Sequence, residues 1–68
     1  MNTMKVGDLV TVRPAEDGLY VITSMEVYDL HNNLKHLPDC VMLISQSVPS
    51  YGAIPMGKEF VEVISEAS

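Results

Sequence analysis

The chain is 68 residues long and 47% hydrophobic, with four Lys and Arg against nine Asp and Glu, a net charge of −5 and an isoelectric point near 4.6. That length admits one small domain, residues 1–68, burying roughly 60% of the surface its unfolded chain exposes, and this hydrophobic content excludes a disordered tail. Lys5, Arg13, Lys35 and Lys58 stand singly rather than clustered, which excludes nucleic acid and anionic membrane surfaces as expected partners.

Residues 8–13 alternate, with Val10 and Val12 on one face and Thr11 and Arg13 on the other, which predicts a half-buried strand. Pro14 ends it, because proline donates no ladder hydrogen bond. Residues 14–18, Pro-Ala-Glu-Asp-Gly, predict a turn with Gly18 placed for a positive φ. Residues 19–28 form the longest strand candidate. Leu19, Val21, Met25 and Val27 share one face; Tyr20, Ile22, Ser24, Glu26 and Tyr28 share the other. Apolar residues on both faces suit a long strand that bends to serve two sides of a barrel, and Val, Ile, Thr and Tyr favour strands.

Residues 29–39 support two readings. Leu30, Leu34 and Leu37 at i, i+4 and i+7 suit two helical turns capped by Asp29. Asn32-Asn33 suits a tight turn, since asparagine tolerates left-handed dihedrals, with Leu30-His31 and Leu34-Lys35 extending a hairpin. The hairpin or an irregular loop is preferred, and Pro38 ends either form.

Residues 40–46 are a nearly continuous apolar run and predict a strand buried on both faces. A turn at 47–50 leads to a short strand at 51–54 that Pro55 stops, and 56–59 fit a single helical or 3₁₀ turn. Residues 60–65 close the domain with Val61 and Val63 inward and Glu62 outward, and 66–68 form a frayed tail. Five short strands with little helix must cover one hydrophobic face, and curling into a small barrel does so without long exposed edges.

Gly52-Ala53-Ile54-Pro55 followed by Phe60-Val61 resembles the closing segment of Src-homology-3 domains: glycine, aliphatic, proline, a 3₁₀ turn, then an aromatic-aliphatic pair. The opening Val6-Gly7-Asp8-Leu9-Val10-Thr11-Val12, with Gly18 behind it, is similar to the start of KOW-type small barrels. Glu62-Val63-Ile64-Ser65 resembles the ending of very short phage-encoded proteins of this kind. The resemblance implies an all-β, five-stranded Src-homology-3-like barrel with a short 3₁₀ turn before the last strand. Signalling members of that family line a polyproline groove with a tryptophan and an Ala-Leu-Tyr-Asp-Tyr stretch, and this chain has neither. Polyproline recognition needs that aromatic groove, so a different surface is expected to carry function.

His31, His36, Asp39 and Cys40 are the one cluster of candidate metal ligands. A four-residue gap between the histidines departs from the usual zinc spacings, and a lone strand cysteine more often packs as a small hydrophobe. A Cys-His catalytic pair would need a cation or helix N-terminus to lower the thiol pKa, and the sequence offers no third orienting group. No phosphate-binding glycine loop or cofactor fingerprint is present, so neither enzyme activity nor a cofactor is expected. Cys40 admits no intrachain disulfide, no apolar signal-peptide run opens the chain, and the longest apolar run is far short of a membrane span, so a cytoplasmic protein is expected.

Tyr51, Pro55, Phe60 and Tyr20 are the candidate protein-binding patch, because aromatic anchors dominate interface energetics. The competing reading puts Phe60 in the core with the tyrosines edging it. Met25 and Met42 read as core filler. Asp8, Glu16, Asp17, Glu26, Glu59, Glu62 and Glu66 read as a solvated surface rather than a nucleic-acid mimic. The expectation is a small non-enzymatic accessory module that binds another protein. The alternative is a self-assembling module in which exposed strand edges pair between copies.

Overall fold

The computed structural model describes residues 4–13 and 18–67. It is all-β, and its described residues contain no α-helix. Five strands form one antiparallel sheet in the order β6-β5-β2-β1-β7: β1 (Leu9–Val12), β2 (Tyr20–Ser24), β5 (Cys40–Ser45), β6 (Ala53–Gly57) and β7 (Val61–Ser65). Between β2 and β5 the chain makes a separate two-stranded hairpin, β3 (Tyr28–Asp29) and β4 (Lys35–His36). Two 3₁₀ turns, Pro49–Tyr51 and Lys58–Phe60, precede β6 and β7.

The core is a single cluster of Val10, Val12, Ile22, Val41, Leu43 and Val61, with Met4, Met25, Met56, Tyr20, Ile54 and Val63 packed around it. Val and Ile dominate because branched side chains suit a pleated, half-buried surface. Along β5 burial alternates: Val41 and Leu43 are fully buried, whereas Cys40, Met42 and Ile44 are half-buried, so one face of this strand carries the core. Met25 fills core space as expected, and Met42 turns to the other face.

The long strand expected over 19–28 is interrupted. Ile22 pairs with Leu43 and Ser24 with Met42, so Thr23 is an extra residue that bends β2. The strand ends at Ser24, whose hydroxyl accepts the Glu26 N–H at 3.1 Å and closes a local turn. That break returns Val27 to the buried side, while Leu19 is exposed.

Pro55 does not stop a strand but sits inside β6. The pairs Cys40↔Gly57, Val41↔Met56 and Met42↔Pro55 continue from the Lys58 N–H, which donates to the Asp39 carbonyl at 2.7 Å. Antiparallel ladders alternate inward and outward N–H groups, and this register puts position 55 among the outward ones. β6 is a sheet edge, so the missing N–H costs no ladder bond.

Three further expectations are corrected. Among the glycines positive φ falls on Gly7 and Gly52 rather than Gly18, and residues 14–17 of the turn predicted over 14–18 lie outside the described residues. Asp8 is not part of a solvated acidic surface but is fully buried. Its Oδ2 accepts the Lys5 backbone N–H at 3.0 Å and its Oδ1 accepts the Ala67 N–H at 2.7 Å. The expected tail over 66–68 is therefore tied down at Ala67, because one buried carboxylate holds the Lys5 and Ala67 N–H groups, and Ser68 lies outside the described residues. The Ala67 N–H, with smaller help from the Lys5 N–H and charge, holds the Asp8 pKa below the usual carboxylate value against the opposing effect of burial.

Candidate functional site

At one pole of the sheet, where β2 begins and β5 ends, the chain leaves an open groove of about 180 Å³ lined by Gly18, Tyr20, Ser45, Ser47, Val48, Tyr51, Gly52 and Ile54. The local sequence explains its walls. Pro49 starts a 3₁₀ turn with a φ already suited to it. The Ser45 hydroxyl accepts the Val48 N–H at 3.1 Å, the Val48 carbonyl accepts the Tyr51 N–H at 3.1 Å, and the Pro49 carbonyl accepts the Gly52 N–H at 3.0 Å. Gly52 leaves the turn at φ 77°, a left-handed value that disfavours any residue with a Cβ although the space around it is open. This turn holds Tyr51 up into solvent at 77% exposure, while Tyr20 opposite is half-buried against the core. The groove's lining combines the aliphatic Val48 and Ile54 with the hydroxyl-bearing Ser45 and Ser47 and carries no charged residue.

Of the four candidate patch residues, the structure brings Tyr20 and Tyr51 together on this groove. Pro55 follows groove-lining Ile54 on β6, so strand alternation turns it to the opposite face. Phe60 belongs to the second 3₁₀ turn, where its ring packs beside Gly57; at 44% exposure it is neither core nor groove.

The other pole carries the β3–β4 hairpin. Tyr28 pairs with His36 and Asp29 with Lys35, so the hairpin reading of 29–39 holds, with a wider turn than Asn32-Asn33 alone. Asn33 and Leu34 both take left-handed φ values, 54° and 56°. The turn is tied by the Asn32 N–H on the Asp29 carbonyl and the Lys35 N–H on the Asn32 carbonyl, with the Asp29 carboxylate accepting the His31 N–H at 2.9 Å. The Tyr28 and His36 rings meet at 5.3 Å, tilted by 47°. Leu30 and Leu34 point outward at 78% and 59% exposure.

This placement disperses the candidate metal ligands. His31 is at the hairpin tip, His36 lies against Tyr28, and Cys40 is in β5 opposite Gly57. Among the described residues, no three His, Cys, Asp or Glu side chains come together as a metal-holding group. No helix among them is long and apolar enough to cross a membrane. Sequence periodicity missed the outward leucines of the hairpin, because their i, i+4 spacing imitates the buried stripe of a helix. Comparison with family models, with curated proteins and with solved structures gave no match.

Proposed function

We propose that this chain is a small, non-enzymatic accessory module that binds protein through the Tyr20–Tyr51 groove, on a scaffold of the Src-homology-3-like barrel type. The scaffold reading is supported by the succession of the strands, with the last strand beside the first and a 3₁₀ turn just before it. The phage-encoded character and cytoplasmic setting belong to the same proposal, and a lone free Cys40 is consistent with a reducing compartment.

The observation that carries the binding reading is Tyr51, an aromatic ring held in solvent by a hydrogen-bonded turn above an unfilled apolar groove. Exposed aromatics fixed at low conformational cost are what hot spots are made of. The groove volume lies below the roughly 300–1,000 Å³ of sites that enclose a small molecule, which suits one or two side chains of a protein partner. An ¹⁵N NMR titration with short peptides, each presenting one exposed Leu, Phe or Pro, tests this. Shifts confined to Gly18, Ser45, Val48, Tyr51, Gly52 and Ile54, and abolished by Tyr51→Ala, are expected. Shifts scattered over the surface, or unaffected by Tyr51→Ala, would overturn it.

A further inference from the structure

We infer that the occupant of the groove is the β3–β4 hairpin tip of a second copy, so that copies join head to tail. The inference rests on the groove reading above and names its partner. Topology supplies the first reason. β2 runs from Tyr20 at the groove to Ser24 below the hairpin, and β5 runs from Cys40 back to Ser45 at the groove. Knob and socket therefore sit at opposite ends of the same two strands, where a chain cannot fill its own groove but can fill its neighbour's.

The knob has the matching chemistry. Leu30 and Leu34 are the two most outward leucines of the chain, and they flank a turn that holds Leu34 in a conformation its Cβ resists. Backbone held in a disfavoured region and displaying an apolar side chain to water points to a role outside the monomer. The socket's lining includes the aliphatic Val48 and Ile54, and its size suits one or two aliphatic side chains.

Charge does not oppose this contact. Of nine acidic and four basic residues, one of each, Asp29 and Lys35, lies in 28–37, together with both histidines. The remaining eight acidic and three basic residues give the rest of the chain the whole net charge of −5. The groove lining carries no charged residue, so a hairpin of no net charge meets no like charge there, whereas contacts between the acidic remainders of two copies repel. Because the two surfaces differ, the contact is heterologous and continues to a ring or a chain of copies.

Sedimentation velocity from about 10 µM to 1 mM tests it with the protein alone. The wild type is expected to gain mass with concentration beyond the dimer. The exposed double substitution Leu30→Ser with Leu34→Ser, and separately Tyr51→Ala, should each remain monomeric with unchanged circular dichroism. Mixed in equal amounts, these two variants should form a heterodimer and stop there, since together they hold one intact knob and one intact socket. A wild type that stays monomeric at 1 mM, association untouched by either variant, or a mixture that forms no heterodimer overturns the inference. A monomer whose groove still answers the peptide titration overturns it while leaving the groove reading in place.

Discussion

Leu43→Ala and Leu30→Ala delete the same three carbons from opposite environments, so their difference isolates burial. Leu43 is fully buried in β5, between β2 and β6, with Ile22 and Ile54 as its cross-strand partners. Removing three buried carbons at about 0.8 kcal/mol each forfeits about 2.4 kcal/mol of transfer energy. The cavity left behind raises the cost to about 3–4 kcal/mol. The whole chain is expected to hold only about 3–10 kcal/mol, so the loss is at least about a third of its stability and at the lower end all of it. Leu30 is 78% exposed, and its truncation should cost under about 0.5 kcal/mol. With a urea m-value near 1 kcal/mol/M for a domain this small, the midpoint should fall by about 3 M for Leu43→Ala and by less than about 0.5 M for Leu30→Ala. Urea titrations followed by circular dichroism measure both. Equal shifts, or a Leu43→Ala shift below about 1 M, would refute this assignment of the core.

Asp8→Asn keeps the shape but turns an NH₂ toward one of the two N–H donors that Asp8 now accepts. It should lower the urea midpoint at pH 7 and raise amide exchange at Ala67; unchanged exchange there would remove the clasp. The folded pKa of Asp8 is lowered, so its ionisation stabilises the fold above the unfolded pKa. That contribution should disappear as pH falls below about 4, and the wild type and Asp8→Asn midpoints should converge there. Pro55→Thr restores an outward N–H to the β6 edge and should promote lateral self-association, read by light scattering. Leu34→Gly relieves the left-handed strain at a position that buries little, so its unfolding free energy should move by under about 1 kcal/mol in either direction.

The strands of the main sheet were legible from alternation in Leu9–Val12 and Val61–Ser65 and from a continuous apolar run in Cys40–Ser45, though that run suggested burial on both faces where only one face is fully buried. What escaped was tertiary in origin. The bulge at Thr23 depends on which strand lies beside β2, and the tolerance of Pro55 depends on β6 being an edge. Asp8 looked like any surface acid because its partners are backbone groups, one of them 59 residues away, that leave no mark in side-chain pattern. Of the candidate patch, Tyr20 and Tyr51 converged because β2 begins where the turn after β5 rises; Pro55 and Phe60 were grouped with them by type, and strand alternation separates Pro55 from Ile54.

The sheet's edges and its poles differ in what they present to solvent. A bare edge is a template for lateral pairing, and this sheet has two, β6 and β7. On β6, Pro55 removes one outward donor from the middle of the strand. On β7, Leu9 pairs with Ser65 and Val10 with Val63, so Ile64 is extra and bends that edge out of a flat register. Both weaken strand addition at the edges, although a bulge is not peculiar to an edge, since Thr23 makes one in the central β2–β5 ladder. The poles carry no such protection: one holds Tyr51 above an open groove, the other Leu30 and Leu34 on a strained turn. The chain thus interrupts both edges and displays Tyr51, Leu30 and Leu34 at its poles, the pattern from which end-on contact is proposed.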